Sequence, residues 1–186
     1  MKHGITLLSA LGLGLCLGAG SFAQERAPVT PVAPSDRAFM ATAAEGGMAE
    51  VTLGKLANSR AANPAVKEFG KRMVEDHSMA NQELMDLAKT RSVRLPADLK
   101  PEHKALRDRL SKLQGAEFDR LYMSEMVKDH KEDVGEFKRA SNTVKDPELK
   151  NWVVKTLPTL EDHLKMSQDI YASVSKAPAA ANRHHR

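Results

Sequence analysis

Between Ser35 and Val174 apolar residues return every three or four positions in four long stretches, interrupted by only a few breakers. That spacing turns one face of a helix toward a core and leaves little room for a sheet. The first helix is expected to start near Ser35 or Asp36, either of which can cap it, and to run to about Arg60. Its inward positions are Phe39, Ala43, Gly46, Glu50, Leu53 and Ala57, mostly small, so a neighbouring helix can approach closely. The second opens at "NP", with Asn63 as cap and Pro64 in the first turn, where a missing N–H costs nothing. It continues to about Thr90 with Val66, Phe69, Met73, His77, Ala80, Leu84 and Leu87 inward.

"SVRLPADLKP" breaks the pattern, and a short helix with Leu106, Leu110 and Leu113 follows, ended by Gly115. The third long helix, about Ala116 to Asn142, carries Met123, Val127, His130, Val134 and Phe137 on one face, widened by Phe118, Leu121, Tyr122 and Met126. The fourth opens at "DP" and presents Leu149, Val153, Thr156, Leu160, His163, Ser167, Ile170 and Val174. Pro158 inside it should kink the helix and release the carbonyl of Val154.

The expected fold is all-α: a four-helix bundle of two hairpins, with a short extra helix in the long connection. That connection, about Ser92 to Gly115, suits a ferritin-like crossover, and a simple up-down bundle with a decorated loop is the alternative. "NPAVK" and "DPELK" open the second and fourth helices alike, a slim sign of internal duplication.

Residues 1–23 have the layout of a secretory signal peptide: Lys2, an apolar run from Ile5 to Gly20, and a small-residue end at Ala23. Four glycines within the run argue against a retained membrane span. Bulky Leu15 before Cys16 argues against a lipid anchor. The expected location is therefore periplasmic or secreted. Residues 24–35 read as a Pro-rich linker, 36–175 as the bundle domain and 176–186 as a disordered tail, where His184 and His185 bind nothing by default.

Cleavage after Ala23 removes Cys16, the one cysteine, and with it disulfides, thiolate metal sites and cysteine nucleophiles. The 28 basic and 24 acidic side chains are interleaved, as in "KEFGKRMVEDH", so no basic patch for nucleic acid forms. The chain is compatible with a monomer or a homodimer.

Each long stripe contains one residue that apolar packing does not want: Glu50, His77, His130 and His163. Burying such groups costs roughly 2 to 7 kcal/mol each unless they find partners. At 1.5 Å per residue, His77 lies roughly 21 Å beyond Asn63 and His163 roughly 25 Å beyond Asp146, so all four fall near mid-bundle. Three imidazoles and a carboxylate suit one transition-metal ion such as copper, zinc or iron. The paired ExxH of di-iron bundles is missing, because Val74, Val127 and Leu160 precede the histidines by three, and there is no CxxCH for haem. One mononuclear site is the most these four residues support.

Met73, Met126 and Met166 share a helical face with the three histidines and would be soft ligands favouring copper, although Met is also a common gap-filler. Asp76, Asp129 and Asp162 each precede a histidine by one and point about 100° away. They can serve as outer partners to an imidazole of a neighbouring helix, or stand solvated.

With "FMATAAEGGMAEVTLGKLA", "VKEFGKRMVEDHSMANQEL", "FDRLYMSEMVKDH" and "LPTLEDHL" in this order, the chain resembles the secreted bacterial family called domain of unknown function 4142. The resemblance spans about residues 35 to 175 and implies a ferritin-like helical bundle and export. The family's first-helix Glu, its DH pair and its later histidines match Glu50, Asp76 with His77, and His130 and His163. No activity comes with the family. Metal buffering, storage or a stress response is one expectation, and a non-catalytic module whose Glu/His layer is a hydrogen-bond network is the other. An oxidase has too few carboxylates and a hydrolase no motif, so the reading leans away from an enzyme.

Overall fold

The computed structural model describes residues 31–176. Five helices account for the architecture: α1 Pro34–Arg60, α2 Pro64–Thr90, α3 Pro101–Leu110, α4 Gly115–Thr143 and α5 Pro147–Ser175. There is no strand among the described residues. The signal peptide, most of the linker, and the tail beyond Lys176 lie outside them.

Local chemistry sets the helix starts. Asn63 Oδ1 accepts from the amide of Ala65 at 2.8 Å, and Asp146 Oδ1 accepts from Glu148 and Leu149 at 2.9 and 3.0 Å. α1 departs from expectation: Pro34 opens it and Ala33 occupies the cap position without a side-chain bond. Asp36 is drawn elsewhere. Its buried carboxylate accepts from the backbone N–H groups of Lys145 and Asp146 at 3.0 and 2.8 Å, in the α4–α5 turn. Asp119 on α4 does the same for Ala62 and Asn63 in the α1–α2 turn, at 3.1 and 2.9 Å. Gly115, with φ of 65°, is the first residue of α4, while α3 already ends at Leu110.

These two cross-links orient the assembly. The start of α1 meets the α4–α5 turn and the start of α4 meets the α1–α2 turn, so α1 and α4 run antiparallel, as do the partners within each hairpin. α2 packs on α5 as well. The connection through α3 therefore travels from one end of the helices to the other. Buried Glu45 ties it down, accepting from the amide of Lys100 at 2.7 Å with His103 Nδ1 also 2.7 Å away. The same interval separates Asp36 from Asp119, Asn63 from Asp146, and Phe69 from Trp152. Several positions of the two hairpins thus correspond, which adds to the sign of duplication seen at their "NP" and "DP" openings.

The core falls into two apolar clusters. One, near the α4–α5 turn, contains Phe39, Leu84, Phe137, Leu149, Trp152 and Leu160. The other, near the α1–α2 turn, contains Leu53, Val66, Phe69, Met73, Tyr122 and Met126. Between them every long helix contributes one buried polar residue: Glu50, His77, His130 and His163. Periodicity placed most of these side chains, including Phe39, Glu50, Leu53 and Ala57 on α1, but in the middle of α1 it was off by one position, since Ala44 and Gly47 are buried while Ala43 and Gly46 are half-buried. Small residues on most faces of α1 give the pattern little contrast.

The close approach of α1 and α2 occurs at Gly54 and Gly70. A Cβ on Gly54 would stand 2.6 Å from the carbonyl oxygen of Gly70, and one on Gly70 would stand 2.5 Å from Ala57 Cβ. α5 continues through Pro158 without interruption. Both Pro158 and Val154 are exposed, so water can satisfy the carbonyl that proline leaves unbonded.

Candidate metal centre

The four helices bring Glu50, His77, His130 and His163 together. The imidazole centroids form a nearly equilateral triangle, 5.9 Å between His77 and His130, 5.3 Å between His77 and His163, and 5.4 Å between His130 and His163. One nitrogen from each ring lies within 4.8 Å of one from each of the others. Phe69 forms an apolar side, edge-on to His130 at 6.1 Å and His163 at 6.4 Å.

Two of the three rings, His163 and His130, are held by one nitrogen through a hydrogen bond. His163 Nε2 lies 2.8 Å from Asp76 Oδ2, and a carboxylate can only accept, so the proton sits on Nε2. Arg72 Nε, at 3.2 Å, donates to the same oxygen. His130 Nδ1 lies 3.0 Å from the carbonyl of Met126, which places its proton on Nδ1. His77 Nδ1 lies 2.7 Å from Glu50 Oε2. The opposite nitrogens, His77 Nε2, His130 Nε2 and His163 Nδ1, are all buried without a hydrogen-bond partner. For His130 and His163 these are the lone-pair positions, since the other nitrogen carries the proton.

Glu50 is 1% exposed. Its oxygens approach His77 at 2.7 Å and His130 Nε2 at 3.1 Å, yet neither contact has hydrogen-bond alignment and both oxygens are unpartnered. The distances therefore report proximity, and the orphaned lone pairs report what is unsatisfied. A carboxylate oxygen and an imidazole lone pair 3.1 Å apart repel unless a cation or a proton lies between them.

Electrostatics keep the donors ready. Burial pushes His77, His130 and His163 each down to about 4, so all three are neutral at pH 7. Burial pushes Glu50 up. Asp76 is lowered: burial raises it, but hydrogen bonds from His163 and Arg72 together win.

The other candidates are distributed unevenly. Asp76 touches an imidazole from a neighbouring helix, whereas Asp162 is exposed and Asp129 makes no hydrogen bond to an imidazole. Met73 and Met126 are fully buried in the cluster below the layer. The Met166 sulfur accepts from Arg72 Nη1 at 3.5 Å, which occupies it.

Sequence reasoning missed Asp133. Oxygens of Glu50, Asp129 and Asp133 lie within 4.8 Å of one another. Burial, then the charge of Glu50, pushes Asp129 up to about 7 and Asp133 well above its ordinary value. Two signals pointed there: Asp133 follows Asp129 by one helical turn, and it is the counterpart of Glu50 in the second hairpin.

These shifts oppose one another in their effect on stability. Unfolded imidazoles titrate near 6.5 and folded ones about 4, so their contribution is complete above pH 6.5 and is lost as pH falls toward 4. Burial makes the carboxyls of Glu50, Asp129 and Asp133 bind protons more tightly in the fold than in the unfolded chain. Their contribution is present at low pH and is lost as pH rises, up to about 7 for Asp129. The metal-free double variant Asp129→Asn/Asp133→Asn removes most of the acidic side of this balance. Its stability should therefore rise more steeply than wild type between about pH 4.5 and 6.5, by roughly 1 to 3 kcal/mol in urea titrations with chelator. An unchanged slope would show that the carboxylates do not hold protons in the fold.

Comparison with solved structures agrees on the fold. A DUF305 fragment from Deinococcus radiodurans superimposes with a TM-score of 0.69 at 13% identity, covering 77% of this chain and 99% of that one. CopM, solved in Cu(I)-bound and Cu(II)-bound forms, gives TM-scores of 0.63 and 0.64 at 16% and 17% identity, covering 74% of this chain and 96% of CopM. A DUF305 protein from Streptomyces coelicolor gives 0.66 at 14% identity, covering 81% and 98%. No curated protein matches the sequence. No helix among the described residues is long and apolar enough to cross a membrane. The domain of unknown function DUF4142 matches residues 21–170, and the chain belongs to that family.

Proposed function

We propose that this protein is exported to the periplasm or beyond and binds one transition-metal ion through His77, His130 and His163, with Glu50 as fourth ligand. Its role is metal buffering, storage or a stress response. Residues 1–23 are the signal peptide, 24–35 the linker and 176–186 the tail of this reading. The four long helices form a ferritin-like bundle, supported by the antiparallel neighbours and by the connection that runs end to end through α3.

One observation carries the metal reading: one nitrogen of each of the three imidazoles and both oxygens of Glu50 are buried without a hydrogen-bond partner. Each such orphan costs about 1 to 3 kcal/mol, and a bound cation would satisfy them together. Outer nitrogens fixed by Asp76 and the Met126 carbonyl are what ligating histidines need. Copper, zinc and iron all suit imidazole with carboxylate. CopM has been solved with Cu(I) and with Cu(II) bound, which makes copper the first metal to test. Met73 and Met126 remain candidate thioether ligands, whereas Met166 would first have to leave Arg72.

Elemental analysis of protein purified without a His tag tests the reading. About one equivalent of copper, zinc or iron per chain is expected, lost in His77→Ala and His163→Ala. Substoichiometric metal that those substitutions leave unchanged would sink it.

A second reading has its own support. The raised Glu50 carboxyl can keep its proton and donate it across the 3.1 Å to His130 Nε2, which would make the layer a hydrogen-bond network that sets helix register without metal. That network still leaves the lone pairs of His77 and His163 unsatisfied, so the metal reading accounts for more.

A further inference from the structure

We infer that a second, harder cation is held beside the first by the carboxylates of Glu50, Asp129 and Asp133. The inference extends the metal reading, with which it shares Glu50 as the bridging residue.

Three observations converge on this place. Oxygens of the three carboxylates lie within 4.8 Å of one another. Glu50 is buried and presents oxygens with no hydrogen-bond partner, so an unsatisfied acceptor is already aimed into the group. A cavity of about 20 Å³ is lined by Glu50, His77 and Asp133. That is room for one water-sized species, with the polar groups of Glu50, His77 and Asp133 set among mostly apolar walls, while Asp129 reaches the trio from the other side.

The surroundings offer no compensating charge when these carboxyls ionise. Asp129 and Asp133 are half-buried neighbours on one face of α4, and like charges one turn apart destabilise a helix. Neither forms an ion pair or side-chain hydrogen bond with another described residue. Other buried acids of this protein are all answered: Asp36 and Asp119 by turn amides, Glu45 by Lys100 and His103. Glu50, Asp129 and Asp133 have no such hydrogen-bond donor among the described residues.

Donor chemistry selects the cation. Three carboxylates offer oxygen alone and suit Mg²⁺, Ca²⁺ or Mn²⁺, whereas the imidazoles beside them suit copper or zinc. Access exists on the α3 side, where a groove of about 540 Å³ lined by His103, Leu106, Glu125, Asp129 and Glu132 reaches Asp129. The correspondence between the hairpins adds symmetry, since Glu50 and Asp133 occupy equivalent positions in α1 and α4. One carboxylate from each half faces the same cavity. In this arrangement Glu50 touches both sites.

Mn²⁺ is the probe, because its six-line EPR signal reports the free ion. Untagged protein is first treated with Zn²⁺, desalted, and titrated with Mn²⁺, with zinc content measured alongside. A single Mn²⁺ per chain is expected, with affinity lowered about tenfold or more in Asp133→Asn and in Asp129→Asn while bound zinc stays at the wild-type level. His163→Ala should lose zinc and keep Mn²⁺. The Asn variants relieve repulsion, so their far-UV CD and metal-free melting temperature should equal or exceed wild type, which separates lost ligation from lost folding. Manganese that fails to bind the zinc-loaded wild type, or binds both Asn variants as tightly as wild type, overturns the second site and leaves the imidazole site standing. Manganese uptake that depends on Asp129 and Asp133 in a chain that takes up no zinc supports the second site and removes the first.

Discussion

Zinc at about a thousand times its Kd is expected to raise the melting temperature of the wild-type protein by roughly 10 °C over its value in chelator. The figure follows from linkage: binding to the folded state alone contributes about 4 kcal/mol at that excess, and a chain of this size gains about 2 to 4 °C per kcal/mol. His130→Ala and His163→Ala should lose most of that rise, because each removes an orphaned lone pair from the layer. Asp76→Asn should lose less. It disturbs the hydrogen bond that fixes the His163 tautomer, and such outer partners are worth about tenfold to a hundredfold in metal affinity. Differential scanning fluorimetry with Zn²⁺, Cu²⁺ and chelator measures all three. If no metal moves the transition while His130→Leu is tolerated or stabilising, the layer is a hydrogen-bond network, since replacing a buried polar group by an apolar one of similar volume is then neutral or favourable.

Gly54→Ala and Gly70→Ala should each destabilise the protein by about 1 to 3 kcal/mol, against helix propensity, which favours alanine by about 1 kcal/mol. The clash is with backbone: the new Cβ of Gly54→Ala would stand 2.6 Å from the Gly70 carbonyl oxygen, and that of Gly70→Ala 2.9 Å from the Gly54 carbonyl oxygen. A carbonyl in the middle of a helix cannot rotate aside, so α1 and α2 must separate. That separation would move Glu50 away from His77 and weaken metal uptake in the same variants. Gly135→Ala is the control, because its Cβ meets only Arg139 Nη1 at 3.5 Å, an ordinary contact, and propensity should then win by roughly 0.5 to 1 kcal/mol. Urea unfolding of the three variants checks the signs. Stabilisation at Gly54 or Gly70 would show that the helices are not in backbone contact there.

The fold was legible where it depends on residues close in sequence. "NP" and "DP" open α2 and α5 as written, and the stripe through Phe69, Met73, His77 and Leu84 is the buried face of α2. The start of α1 was misplaced because Asp36 looks like a cap in sequence yet bonds the amides of Lys145 and Asp146, more than a hundred residues away. Local pattern cannot register such a competitor. The α1 stripe drifted for a related reason: with alanine and glycine on most faces, hydrophobicity does not distinguish the side that packs from the side that does not.

For the candidate centre, periodicity was enough to nominate Glu50, His77, His130 and His163, because each interrupts an apolar stripe and helix length alone put them at similar depth. It could not say that His163 points its Nε2 at Asp76, that His130 gives its Nδ1 to a backbone carbonyl, or that Asp162 stands in solvent. It could not bring Asp133 to Glu50 either, since α4 was read for its apolar face and Asp133 lies beside that face.

The sequence by itself determined the long helices, the capped starts of α2 and α5 and the polar residue that interrupts each apolar stripe, because a 3.6-residue period converts composition into a face within a single segment. Which faces meet, which acid answers which amide, and which buried lone pairs are left without a partner were decided only by the tertiary structure. Those outcomes depend on distances between atoms of different helices, and the cross-links at Asp36 and Asp119 and the glycine contact at Gly54 and Gly70 set those distances.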